Sequence, residues 1–271
     1  MRRSLNLRLA SERNMERNMD CKIGIIGGSG FDRSDLLRDV RDVYAGTPWG
    51  EPSSPLQEGT VDGVPVVLLA RHGRGHTLSP SGVNYRANIH ALKAAGCTCL
   101  LATTAVGSLR EEIQRGDLVV IDQFIDFTRR RNNTFHDHFL PGEQGHTAMA
   151  DPFDATLREI LCQGCAALGL RHHPSGTVVT IEGPRFSTRA ESRMFRIWGG
   201  DIINMSIATE AALANEAGIP YAAVGMSTDY DCWKEDEEAV TWEAILNVFS
   251  ENVRKVNELL LYAVGSIARK A

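Results

Sequence analysis

The sequence has few cysteines, no excess of basic residues and no long apolar run, and each absence narrows the class of protein. Six cysteines in 271 residues are too few for a scaffold held by disulfides, so we expect reduced thiols and a cytoplasmic protein. A formal net charge of −5 argues against a nucleic-acid partner bound through a bulk positive field. No apolar run approaches the roughly 18 residues of a membrane span, so we expect no membrane partner.

The first twenty residues are rich in arginine but have no apolar segment of the kind that a secretory signal contains. Acidic side chains in the same stretch argue against a transit peptide. A start codon placed too early, with initiation at Met15 or Met19, is an alternative. We expect residues 1–20 to form a disordered extension and residues 21–271 to form one domain.

Short runs rich in valine and isoleucine alternate with segments of helical apolar spacing. The predicted strands cover 21–26, 64–70, 97–105, 117–125, 176–183, 201–206 and 221–228. The predicted helices cover 84–96, 154–169, 187–199, 208–218 and 241–270. This order predicts an α/β fold with a mostly parallel or mixed central sheet flanked by helices, and a flexible loop over 129–146.

Several segments that follow predicted strands could bind an anion. Glycines in GIIGGSGF let the backbone approach an anion beside the Ser29 hydroxyl, and a plain glycine turn is the alternative. The spacing does not fit a dinucleotide fingerprint. In ARHGRGHTLSP, Arg71 can grip an oxyanion and His72 can add a donor, unless the loop is simply solvated. Thr104 and the Ala105 amide, in ATTAVGSL, could meet the same anion.

Two later segments supply an aromatic ring and a thioether. Phe186 could face a flat ligand, whereas the neighbouring Ser187 is also placed as the N-cap of the next helix. Met205 offers a soft apolar contact, with a core position as the alternative, and Ser206 adds a hydroxyl donor.

Two carboxylates follow the last predicted strand. Period-2 alternation puts Asp229 and Asp231 on one side, and like charges held close raise one pKa. One carboxyl could therefore stay protonated near neutrality and act as an acid. A metal site or a solvated strand end is the alternative, but the nearby histidines have no ligand spacing, so we predict no metal.

Oxyanion donors, an aromatic and thioether surface and paired carboxylates thus converge on one cleft. Such a set suits phosphate attack on a nucleoside. The C–N bond breaks through a cationic sugar, so the reaction needs a positioned phosphate, a shielded ribosyl pocket and an acid for the departing base.

The order of these motifs strongly resembles that of the S-methyl-5′-thioadenosine phosphorylases in the trimeric purine nucleoside phosphorylase family. The most specific runs are IGIIGGSGF, LLARHGRGHTLSPSGVNYRANI, TTAVGSLREEIQRGDLVVIDQFIDFT, VTIEGPRFSTRAES and STDYDCWKEDEEAV. The resemblance covers about residues 21–265. It implies phosphorolysis of 5′-methylthioadenosine to adenine and 5-methylthioribose 1-phosphate in purine and methionine salvage, with inorganic phosphate as co-substrate and no cofactor.

The resemblance also implies roles for individual residues. Phosphate would be bound by Ser29, Arg71, His72, Thr104, Ala105 and Ser206. The nucleoside would be bound by His76, His146, Phe186, Ser187, Met205, Asp229, Asp231, Trp242 and Ile245. Asp229 and Asp231 would be the catalytic pair, one accepting from the 6-amino group and one serving N7. The assembly would be a homotrimer in which His146 reaches a neighbouring site.

Other activities remain open at this point. Asp229 favours a 6-aminopurine, because O6 of a 6-oxopurine needs a donor. Family members often have a longer C-terminal tail that reaches the 5′ pocket of the neighbouring subunit, whereas this sequence stops at Ala271, soon after the last predicted helix. The preference for a 5′-methylthio group is therefore open, and ordinary adenosine is an alternative substrate. Phosphorolysis of inosine, guanosine or methylthioinosine and a non-catalytic nucleotide-binding module are further alternatives.

Overall fold

A computed structural model describes residues 21–28, 36–142, 144–234 and 242–270, with side chains in the last helix at 248 and 252–270. Its strands are β1 Ile23–Gly27, β2 Arg38–Val43, β3 Leu56–Val61, β4 Val64–Ala70, β5 Cys99–Ser108, β6 Leu118–Val120, β7 Gln123–Phe127, β8 His172–His173, β9 Thr177–Ile181, β10 Ile202–Asn204 and β11 Tyr221–Asp229. Its α-helices are α1 Tyr85–Ala94, α2 Ala155–Ala167, α3 Arg189–Ile197, α4 Ile207–Glu216 and α5 Trp242–Lys270.

Strand β5 is the centre of the sheet because it pairs with three other strands. It runs parallel to β1 and to β11 and antiparallel to β10. One branch of the sheet has the order β2-β3-β4-β1-β5-β10-β9-β7, and the other continues from β5 through β11 and β6 to β8. The predicted α/β fold with a mixed sheet flanked by helices is confirmed.

Both faces of the central strands are covered, which explains their nearly continuous apolar sequences. Every residue of β1 and of β11 is buried. On one face the strands pack against α2 and α5, and on the other they pack against α1 and α4. In the described part of the chain, no helix has both the length and the apolar character that a membrane crossing requires.

The structure differs from the sequence prediction at the polar strands and at one long apolar run. Strands β2 and β3 were not predicted, because β2 is mostly exposed and lacks an apolar face. The run 117–125 is two strands rather than one: β6 pairs with β11, whereas β7 pairs with β9. The predicted extension, residues 1–20, lies outside the described residues.

Candidate active site

One pocket opens where β1, β4, β5, β10 and β11 end, and its cavity volume is about 120 Å³. Many of the predicted site residues line it: Arg71, His72, His76, Thr104, Ala105, Phe186, Met205, Ser206, Asp229 and Asp231. The parallel strands β1, β4, β5 and β11 place their carboxyl ends along one edge. Strand β10 runs antiparallel to β5 and reaches the same pocket from the opposite direction.

At one end of the pocket, the Arg71 side chain is almost completely buried and is held on several sides. Its Nε and Nη2 groups donate to the two carboxylate oxygens of Glu210, the second over 2.9 Å. Its Nη1 group donates to the Thr103 carbonyl oxygen over 2.9 Å. Burial alone would lower the pKa of Arg71, but the Glu210 carboxylate raises it above its usual value. The guanidinium is therefore charged and its plane is fixed.

His72, beside Arg71, lines the pocket with a neutral ring. Its Nδ1 lies 2.9 Å from the Leu78 carbonyl oxygen, which can only accept, so Nδ1 carries the ring proton. Burial, followed by the charge of Arg71, lowers the His72 pKa to about 3. In this neutral state Nε2 is an acceptor, whereas the sequence argument made His72 a donor.

An asparagine that the sequence argument did not select links the hydroxyl groups of this end. The Asn204 side-chain oxygen accepts from the Thr180 hydroxyl over 2.8 Å, and its amide donates to Thr104 Oγ1 over 3.4 Å. The Ser206 backbone amide also approaches Asn204 at 3.4 Å. The sequence signal for Asn204 is an amide side chain at the end of a buried apolar strand.

Ser206 is the N-cap residue of α4, but its hydroxyl does not cap the helix. The amino end of a helix carries partial positive charge and unpaired amide groups, which favour an anion. Together with Arg71 and Thr104, this helix start makes the end of the pocket suitable for an oxyanion.

At the other end lies Asp229, a buried carboxyl group. Its Oδ2 accepts from the Thr228 hydroxyl over 2.8 Å and its Oδ1 accepts from the Asp231 amide over 2.7 Å. Burial raises the Asp229 pKa to about 6, and the charge of Asp231 makes a smaller contribution. The predicted upward shift is present, but burial and not the like charge is its main cause.

The two carboxylates share the pocket, although strand alternation does not put them there. The register of β11 against β5 shifts between Ser227 and Asp229, and Asp231 lies beyond the strand with a left-handed φ of 49°. Gly107 leaves the space they need, since a Cβ there would lie 2.9 Å from Asp229 Oδ1.

The wall of this end includes Phe186, whose ring is 38% exposed. The predicted N-cap role of Ser187 is wrong, because Thr188 caps α3 in a capping box with Glu191. The Ser187 hydroxyl instead lies beside Asp231. Burial raises the Asp231 pKa, and the hydroxyls of Ser192 and Ser187 oppose that shift.

The loop predicted to be flexible over 129–146 contains a firmly held side chain. Arg131 is 3% exposed and donates to the carbonyl oxygens of Met205 and Glu182, the latter over 2.7 Å. Its guanidinium also lies over the Tyr85 ring. Arg131 thus fixes the backbone of Met205 where that residue lines the pocket.

Of the five remaining predicted site residues, Ser187 does not line the pocket. His146 is exposed and packs against Phe139, with ring centroids 5.6 Å apart. Ser29 lies outside the described residues, and for Trp242 and Ile245 only the helical backbone is described. Among the side chains that the structure places, no group of three or more His, Cys, Asp or Glu could hold a metal ion.

Comparison with known sequences first defines the class. The sequence pattern of the phosphorylase superfamily matches residues 22–264, and the chain belongs to that superfamily. Within it, the chain is 54% identical over 251 residues to the S-methyl-5′-thioadenosine phosphorylase of Xenopus tropicalis, covering 91% of this chain and 89% of that protein. It is 53% identical over 257 residues to the one of Danio rerio, covering 94% and 92%.

Solved structures agree with this assignment. The methylthioadenosine phosphorylase of Schistosoma mansoni in complex with adenine superposes with a TM-score of 0.87, at 44% identity and 92% coverage of each chain. A variant of that organism's adenosine/methylthioadenosine phosphorylase in complex with methylthioadenosine gives a TM-score of 0.86, at 43% identity and 92% coverage of each chain.

Proposed function

We propose that this chain cleaves 5′-methylthioadenosine with inorganic phosphate and releases adenine and 5-methylthioribose 1-phosphate. The observation that carries the proposal is one pocket with oxyanion donors at one end and a buried carboxyl of pKa about 6 at the other. The similarity to S-methyl-5′-thioadenosine phosphorylases supports the same substrate.

Phosphate is the nucleophile in this reaction. Arg71, Thr104, the Ala105 amide and Ser206 bind it beside C1′. The resemblance adds Ser29, and the neutral His72 ring accepts at Nε2 from the protonated oxygen of hydrogen phosphate. A phosphate oxygen forms the new bond to C1′ with inversion while the C1′–N9 bond breaks and its electron pair moves into the purine. Donors fixed in advance stabilise charge without reorganising during the reaction.

The purine leaves more easily when it gains a proton at N7. Asp229 supplies this proton from its protonated carboxyl, and the Asp231 carboxylate accepts from the 6-amino group. Burial keeps a share of Asp229 protonated near neutral pH, which suits a general acid. Phe186 and Met205 shield the base and the ribose from water.

The oligomeric state and the 5′ side of the pocket are inferred from the resemblance to the family. The active form is a homotrimer, and His146 of one subunit reaches the 5′ side of a neighbouring pocket, near His76, Trp242 and Ile245. The exposed position of His146 outside its own pocket supports this arrangement. The enzyme needs no cofactor or metal and works in the cytoplasm.

The proposal is tested by measuring adenine release from 5′-methylthioadenosine with and without phosphate. Phosphate-dependent release is expected, and its absence in a folded sample would contradict the proposal. A kcat/KM comparison of methylthioadenosine, adenosine, inosine and methylthioinosine then ranks the substrates. Adenosine is the second candidate, because a similar Schistosoma mansoni enzyme is described as an adenosine/methylthioadenosine phosphorylase.

A further inference from the structure

Glu210 is a buried carboxylate that the mechanism above does not use. It lies in the first turn of α4, its side chain is 1% exposed, and it does not line the pocket. Both of its oxygens are occupied by Arg71, and Oε2 also accepts from the Tyr221 hydroxyl over 2.8 Å. The carboxylate is therefore anchored on one side by β11 and holds the guanidinium on the other.

This arrangement determines which donors of Arg71 remain for a ligand. A guanidinium has five N–H groups in a rigid plane. Two of them face Glu210 and a third faces the Thr103 carbonyl oxygen, so one N–H on Nη1 and one on Nη2 remain. Gly28 lets this edge lie close to the backbone, since a Cβ there would lie 3.0 Å from Nη1.

We propose that Glu210 is a positioning residue for the phosphate nucleophile: it holds the Arg71 guanidinium so that its two remaining N–H groups face the phosphate site. Tyr221 supports it by fixing Oε2. The role of phosphate as nucleophile rests on the proposed function, whereas the effect on phosphate binding can be measured without turnover.

A purely electrostatic role for Glu210 makes a different prediction. A carboxylate that only cancels the charge of Arg71 weakens phosphate binding, and Glu210→Gln would then lower the KM for phosphate. Glu210→Asp separates the two roles, because aspartate keeps the charge but is too short to occupy the same position against the guanidinium. Positioning predicts that both variants bind phosphate less well.

The experiment compares Glu210→Asp, Glu210→Gln and Tyr221→Phe with the wild type. We expect the two Glu210 variants to raise the phosphate KM about tenfold or more, because a charge-assisted bidentate contact is misplaced. The KM for methylthioadenosine should change much less. Tyr221→Phe keeps the carboxylate and both of its contacts with Arg71 and removes only the hydrogen bond to Oε2, so it should raise the phosphate KM less, about threefold.

Asp117→Asn is the matched control for general loosening. Asp117 is also a buried carboxylate in ion pairs, with Arg171 at 3.1 Å and His173 at 3.0 Å, but it does not line the pocket. This variant should lower the Tm and leave the phosphate KM unchanged. An equal rise in phosphate KM for Asp117→Asn would overturn the positioning role.

Calorimetric titration with inorganic phosphate alone distinguishes this inference from the proposed function. If the wild type binds phosphate but releases no adenine, the proposed function fails, and weaker phosphate binding by Glu210→Asp and Tyr221→Phe still supports positioning. A lower phosphate KM in Glu210→Gln, or unchanged binding in Glu210→Asp, overturns it.

Discussion

At the phosphate end of the pocket, Arg71 is paired with a protein carboxylate, whereas at the purine end Asp229 accepts hydrogen bonds from a hydroxyl and a backbone amide. The first charge is held by Glu210 and a carbonyl oxygen before any ligand arrives. At Asp229, burial raises the pKa to about 6, although the charge of Arg115 acts in the opposite direction. Both groups are buried, but the Arg71 charge is fixed by its carboxylate partner, whereas the Asp229 carboxyl is easily neutralised.

The difference matches what each end has to do. A nucleophile that carries negative charge needs donors whose charge and direction do not change during the reaction. A leaving group needs a proton that can be transferred near neutral pH. The comparison therefore predicts that changes at the two ends affect different substrates and different parts of the pH profile.

The largest effect is expected for Asp229→Asn, which removes the proton donor. The kcat/KM for methylthioadenosine should fall about 100-fold or more, a typical contribution of general acid catalysis. Activity on inosine should rise, because an amide can donate to O6. Steady-state kinetics on both substrates checks this. Unchanged kcat/KM for both would contradict the assigned role.

Arg71→Lys should act at the phosphate end alone. A lysine has no planar fork, so it cannot serve Glu210, the Thr103 carbonyl oxygen and phosphate together. We expect the phosphate KM to rise about 30-fold, within the range for losing charge-assisted hydrogen bonds. Titration of phosphate at saturating nucleoside measures it. An equal rise in the nucleoside KM would break the separation between the ends.

The pH profile should report the purine end. The raised Asp229 pKa means that the acid form is present below about pH 6 and is lost above it. The wild-type kcat/KM should therefore fall about tenfold per pH unit well above that value. In Asp229→Asn this decline should disappear. A decline that persists in the variant would assign the titration to another group.

The stability of the folded chain should depend on the same ionisation. Because the folded pKa of Asp229 exceeds its value of 3.8 in an unfolded chain, its stabilising contribution is complete below pH 3.8 and is lost as pH rises to about 6. The effect of Asp229→Asn on the free energy of unfolding should therefore be about 2–3 kcal/mol more stabilising at pH 8 than at pH 3.5. Thermal unfolding of the wild type and the variant at both pH values measures this effect. An equal effect at the two pH values would contradict the raised pKa of Asp229.

The smallest effect is expected for Phe186→Leu. The ring is partly exposed and contributes an apolar face rather than a charge. Loss of the aromatic contact should raise the methylthioadenosine KM about threefold, in line with aromatic contacts of about 1 kcal/mol. The phosphate KM serves as the internal control. A change in phosphate KM of the same size would show that the ends are coupled.

The sequence was most informative where chemistry and strand ends coincide. Arg71, Thr104 and Asp229 each follow a buried apolar run, and their positions in one pocket were predicted correctly. The partners that fix them were not predicted. Glu210 lies 139 residues beyond Arg71, and no local pattern links the two. Arg131 was assigned to a flexible loop because its neighbours are polar.

Local geometry was also beyond the sequence argument. A bulge and a left-handed residue, rather than alternation, bring Asp231 beside Asp229. Ser187 and Thr188 are both acceptable N-caps by residue type, and Glu191, three residues after Thr188, is the capping-box signal in the sequence that identifies Thr188. The bulge, in contrast, lies in the pairing of β11 with β5, a tertiary contact that residue propensities do not settle.

The position of β5 has a consequence for synthesis on the ribosome. Its pairing partner β11 begins at Tyr221, more than a hundred residues later in the chain. Until that segment emerges, the nascent polypeptide presents an apolar strand edge with unpaired amides, which is a template for association with other chains. Truncation before Tyr221 should therefore yield insoluble fragments rather than a smaller folded core, and chaperone demand should be greatest late in translation.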